Sequence, residues 1–255
     1  MTRRLSELRR NATAAYVGPL AAFMLLSMVP GWFRVENSAA PWYVQQPEHW
    51  WYPVQTVVCA ALLLWWRQHY ILRPWRASDL ALAVLAAAVG IAIWVAPGWL
   101  FQHRSGAEEN LATPGWWRWL GWSDRSEGFD PTLLAQHPLG QTLSLIARFA
   151  RSSLVVPFVE ELCWRGWLMR YCIAGDRPFT RIPFGTHRWR SYFITTACVT
   201  AIHQPEDWLA AWIWGTLVYA LAVRTRSLGA CVVMHAVGNL LLGFYILRTG
   251  QWGYW

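Results

Sequence analysis

The sequence predicts an all-α, polytopic bundle of transmembrane helices, with about seven spans or eight helices in all and a cytoplasmic amino terminus. Three observations carry this prediction. Of 255 residues, 55% are hydrophobic and 21 are Trp, whereas soluble domains are roughly 45–50% apolar. The apolar residues gather in runs close to the ~20 residues that bilayer hydrocarbon requires. The 22 basic residues, all arginine, lie between those runs and form no single basic face. A net charge of +8 therefore reads as a determinant of topology and not as a nucleic-acid footprint.

The candidate spans are residues 12–32, 50–70, 79–100, 143–173, 189–204, 207–223 and 228–247. Met1 to Arg10 has the charged look of a signal-peptide start, but no small-x-small cleavage site follows, so residues 12–32 read as a retained first span. Trp50-Trp51 and Trp65-Trp66 read as aromatic belts. The longest connection, 101–141, holds Trp116-Trp117-Arg118-Trp119-Leu120-Gly121-Trp122, a pattern suited to a segment lying among lipid headgroups. In the fourth run Arg148 and Arg151 suggest that its first two turns lie at or outside the interface, and Pro157 removes a backbone hydrogen bond and is expected to kink the helix.

Orientation follows from the arginines. An amino terminus in the cytoplasm places Arg3, Arg4, Arg9, Arg10, Arg67, Arg73, Arg76, Arg170, Arg177, Arg181, Arg188, Arg190, Arg224 and Arg226 inside, against Arg34, Arg104, Arg118, Arg125 and Arg248 outside. Five cysteines, without CxxC spacing, read as small buried hydrophobes. No repeat or low-complexity segment divides the chain. Residues 1–255 read as one integral domain, with 1–141 less characteristic and 142–247 as a motif-bearing core.

Chemistry concentrates in a few polar residues at membrane depth. Charges there are costly and are read as functional by default. Glu161 and Arg165 are four apart and share a helix face, so they can pair. Glu160 points about 100° away and lacks a partner on its own helix face. A desolvated carboxylate of that kind suits a general base. His235 and Asn239 are again four apart on one face. At about 1.5 Å per residue, Glu160, His203, His235 and Asn239 lie roughly 20, 21, 11 and 17 Å from the cytoplasmic ends of their spans. These depths are compatible with convergence.

At these residues the sequence resembles the CPBP group of intramembrane endopeptidases, which includes CAAX-processing proteases and bacterial Abi-type proteins. The group's Glu-Glu-x-x-x-Arg motif is matched by Glu160-Glu161-Leu162-Cys163-Trp164-Arg165, and its His-x-x-x-Asn/Asp motif by His235-Ala236-Val237-Gly238-Asn239. Its Phe-x-x-x-His motif is matched only at His203, because Val199 stands where the phenylalanine is expected. Val156-Pro157-Phe158-Val159 before the glutamates, the Trp-rich spans and the closing Gly250-Gln251-Trp252-Gly253-Tyr254-Trp255 are similar to CAAX protease-related proteins encoded beside bacterial exosortase systems.

The resemblance implies a multi-pass hydrolase of the bacterial inner membrane. It would cleave a peptide bond near the carboxy terminus of a membrane-associated or exosortase-system protein. Glu160 and His203 would activate water, His235 and Asn239 would stabilise the oxyanion, and Glu161 and Arg165 would support the site. Expected partners are the bilayer and a protein or peptide substrate, with no nucleic acid and no cofactor. Two alternatives stay open: a zinc protease using Glu160, His203 and His235 as ligands, and a non-catalytic membrane scaffold or immunity protein.

Overall fold

The computed structural model describes residues 2–37, 39–104 and 115–255; residues 105–114, with Glu108 and Glu109 of the long loop, lie outside the described residues. Among the described residues the chain is helical and contains no strand. In chain order the α-helices are α1 (Thr2–Arg10), α2 (Ala12–Ser27), α3 (Pro30–Phe33), α4 (Trp42–Gln45), α5 (Glu48–Trp65), α6 (Ala77–Arg104) and α7 (Pro138–Ala150). They continue with α8 (Val156–Glu161), α9 (Met169–Ala174), α10 (Trp189–Ala201), α11 (Trp208–Thr225) and α12 (Leu228–Thr249). Two π-helical segments, Arg151–Val155 and Leu162–Leu168, flank α8.

Helices occupy all seven apolar runs. Among the described residues four are long and apolar enough to cross a membrane: Ala12–Phe33, Ala77–Arg104, the run Pro138–Ala174 and Leu228–Thr249. By contrast α10, with 13 residues, is only about 20 Å long, short of the ~30 Å hydrocarbon core.

The chain forms two compact units. One comprises Met1–Ile71 with Phe129–Cys163, the other Leu72–Gly128 with Trp164–Trp255. In the first unit α2 packs on α5 and α8, and α5 packs on α7. Asn11 caps α2 by accepting a hydrogen bond from the Ala14 amide at 3.0 Å, and Gly18 lets the Trp66 ring lie against the helix backbone. The two arginines at the start of the fourth run, Arg148 and Arg151, pack against aromatic rings of this unit. Arg148 is buried, its guanidinium 4.9 Å from the Tyr52 ring centre and 5.1 Å from that of Phe129. Arg151 lies 4.0 Å from the Tyr52 ring centre and 4.6 Å from that of Phe23, and its Nε donates to Gln55 Oε1 at 2.8 Å. Gln55 in turn donates to Phe23 O and Ser27 Oγ, each at 2.7 Å. Aromatic faces and a buried amide thus replace the water these cations would otherwise need.

In the second unit α6 runs along α12, while α11 lies against α6, α10 and α12, and α10 packs on α9. Small residues make the close approach possible. Ala83, Ala87 and Gly90 on α6 and Ala230 and Gly238 on α12 are buried, and Gly229 leaves room for the Trp75 ring. Ser227 caps α12 by accepting from the Ala230 amide at 3.1 Å. Beyond α12, the Gly253 amide donates to Arg125 O at 2.8 Å, and the Tyr254 ring lies under the Arg125 guanidinium at 4.6 Å.

Pro157 occupies the first turn of α8, where its missing N–H removes a backbone donor. The interruption expected there takes the form of the π-turn Arg151–Val155. The five cysteines are free thiols, with Cys59, Cys163 and Cys231 buried.

Candidate active site

The motif residues come from four places in the chain: α8, the π-segment after it, the turn after α10, and α12. Glu160 and Glu161 end α8, in the first unit, with Glu161 fully buried and Glu160 9% exposed. Arg165 lies in the following π-segment, Leu162–Leu168, and belongs with His203, His235 and Asn239 to the second unit. The regular α-helix assumed from the Glu-Glu-x-x-x-Arg spacing is therefore a wider π-turn here, a local geometry that recurs at functional sites.

Glu160 has a cation nearby after all. Arg151, nine residues earlier, interacts electrostatically with it. Nine residues make about two and a half turns of regular α-helix, which would place the pair on opposite faces. The π-turn at Arg151–Val155 changes the angular step and takes up part of that half turn. Arg165 is 1% exposed and donates through Nη2 to Gly215 O on α11 at 3.2 Å. It thereby ties the π-segment to the residue next to Trp214.

His203 lies just past the end of α10, in a turn closed by its own amide bonding to Thr200 O at 3.1 Å. Its Nδ1 is 2.7 Å from Val199 O. A carbonyl can only accept, so Nδ1 is the donor in this contact and Nε2 is the ring nitrogen left for other partners. This contact of Val199 with His203 is made by the backbone carbonyl, so it does not depend on the side chain at position 199. His235, buried on α12, and Asn239, one turn further along, share a helix face as their spacing predicts.

Two tryptophans connect the histidines. The His203 ring centre is 5.4 Å from that of Trp94 on α6, Trp94 is 6.3 Å from Trp214 on α11, and Trp214 is 5.8 Å from His235, all edge-on. The second unit thus sets His203 and His235 at opposite ends of one Trp pair. Neither tryptophan stood out among 21 in the sequence. A signal was present in Gly238, inside the His-x-x-x-Asn motif, and in Gly90: a Cβ at either would run into the Trp214 ring, at 2.8 Å in the case of Gly90.

Residues 142–241 match the family of Rce1-like type II CAAX prenyl endopeptidases. The match supports a CAAX protease. It spans less than half of the chain but contains every motif residue from Glu160 to Asn239. That family is a protease family, so the match supports a peptidase-like core, and together with the apolar helices it supports a multi-pass membrane protein. Comparisons with curated proteins and with solved structures gave no match.

Among the described residues, no three His, Cys, Asp or Glu side chains stand together as a metal-binding group.

Proposed function

We propose that the protein is a metal-free intramembrane endopeptidase of the bacterial inner membrane, with seven membrane-embedded runs, the short α10 and the turn after it among them, and its amino terminus in the cytoplasm. It hydrolyses a peptide bond near the carboxy terminus of a membrane-associated substrate. The observation that carries this reading is the match of 142–241 to a CAAX endopeptidase family, with the Glu-Glu-x-x-x-Arg and His-x-x-x-Asn residues intact inside the matched stretch. Glu160 and His203 serve as the water-activating pair. The His203–Val199 hydrogen bond supports this role, because it occupies Nδ1 and leaves Nε2 as the ring nitrogen open to water. His235 and Asn239 supply donors for the oxyanion, and Glu161 and Arg165 hold the helix around the nucleophilic water. Substrates of an exosortase system fit the resemblance of the flanking sequence, and a prenylated carboxy terminus is the second class to try, since the matched family is named for prenyl substrates.

Two measurements test the reading. Mass spectrometry of membrane-protein termini, in cells with the wild-type protein and with Glu160→Gln, is expected to show at least one carboxy-terminal fragment that depends on Glu160; identical termini would remove the peptidase reading. The purified protein is expected to contain well under one zinc per chain and to keep its activity in chelator. Stoichiometric zinc would overturn the metal-free mechanism. Replacing Asn239 by Ala is expected to lower kcat by about 10²–10³-fold, the usual effect of removing one oxyanion donor, measured with the same fragment as readout.

A further inference from the structure

We infer that Asp207 is a positioning residue for His203 and acts through Trp94. His203 sits beyond the end of its helix, so the α10 hydrogen-bond ladder does not fix its ring. Two backbone contacts hold the turn: His203 Nδ1 to Val199 O at 2.7 Å, and Trp208 Nε1 donating to His203 O at 3.2 Å. Neither limits the tilt of the imidazole plane from the side. Trp94 does so, edge-on at 5.4 Å, and its own orientation is fixed because its Nε1 donates to Asp207 Oδ1 at 3.2 Å. Asp207 is held by Arg125, whose Nη2 donates to Asp207 Oδ1 and to Glu206 O, each at 2.9 Å.

The other side of Trp94 is closed as well. Trp214 abuts it and lies in a slot made by the missing side chains of Gly90 and Gly238. Trp94 is therefore held by Asp207 at its indole nitrogen and flanked by Trp214 and His203 at its ring. The carboxylate, the indole and the imidazole form one chain of contacts in which the acid never needs to touch substrate. Only the kinetic arm of the test rests on the peptidase reading above.

The experiment compares Asp207→Asn, which keeps an oxygen acceptor for Trp94, with Asp207→Leu, which removes it, in the full-length protein in detergent. The first readout is the set of imidazole resonances of His203 in histidine-labelled protein, assigned with His203→Gln. The second is cleavage of a farnesylated peptide with a free carboxy terminus. Asp207→Leu is expected to shift the His203 resonances and to lower kcat about ten- to a hundredfold, the scale of a small misplacement of a working group, with KM within about twofold of wild type. Asp207→Asn is expected to leave both near wild type. Equal shifts in the two variants would mean that charge and not the acceptor matters, and would overturn the inference; so would an unmoved His203 in Asp207→Leu. Should Asp207→Leu fail to fold, Trp94→Phe replaces it, since that variant keeps the Arg125–Asp207 pair and deletes only the donor and outer ring. A wild-type His203 spectrum in Trp94→Phe would then overturn the inference. A wild-type protein that leaves the peptide intact counts against the prenyl-peptide substrate alone, and the resonances still decide the role of Asp207.

Discussion

Glu160→Gln is expected to lower the rate of peptide-bond cleavage by about 10²–10⁴-fold, the range for loss of a general base, with the folded protein recovered in normal yield. The substitution replaces a carboxyl group that sits 9% exposed at the end of α8 by an amide that keeps its shape and one acceptor oxygen but cannot take up a proton as a base. Its neighbour should behave differently. Glu161 is fully buried, so Glu161→Gln alters a group enclosed by protein, and its larger effect is expected on stability. Single-turnover cleavage and thermal unfolding of both variants separate the two roles. Wild-type turnover by Glu160→Gln would remove Glu160 from the chemistry.

Arg125→Met is expected to destabilise the protein by about 3–5 kcal/mol, the cost of leaving one partner of a buried ion pair alone. Arg125 and Asp207 are 7% and 9% exposed and meet at 2.9 Å. The same guanidinium binds Glu206 O and covers the Tyr254 ring. One substitution therefore disconnects the turn before α11 from the residues after α12. Unfolding in a denaturing-detergent titration checks the size of the effect, and a loss below about 1 kcal/mol would place this pair with exposed surface bridges. The double substitution Arg125→Met with Asp207→Leu is expected to recover part of the loss, because it removes the stranded carboxylate.

Much of the architecture could be read directly from apolar run length. Helices stand at each of the seven runs, and the Glu160–Arg165 and His235–Asn239 spacings lie on helical segments as expected. What run length could not convey is the hydrogen-bond period inside a helix. Arg151–Val155 and Leu162–Leu168 are apolar enough to continue an α-helix, and only the structure reveals that they widen into π-turns and bring Arg151 into the field of Glu160. Hydropathy also left the surroundings of Arg148 and Arg151 unread, since it scores a guanidinium by its own polarity and takes no account of the Tyr52, Phe23 and Phe129 rings lying over it. The same holds for His203. Its position four residues after Val199 was legible, but the contact runs to a carbonyl, which every residue carries.

The glycines beside the tryptophans have an evolutionary consequence. Gly18 faces Trp66, Gly229 faces Trp75, and Gly90 and Gly238 both face Trp214. Each indole is admitted by a hydrogen atom standing where another residue would carry a methyl group. The two residue types are therefore inherited as matched halves: in related chains, a methyl acquired at one of these glycines should be accompanied by a smaller ring opposite it, and an indole retained should be accompanied by a glycine retained.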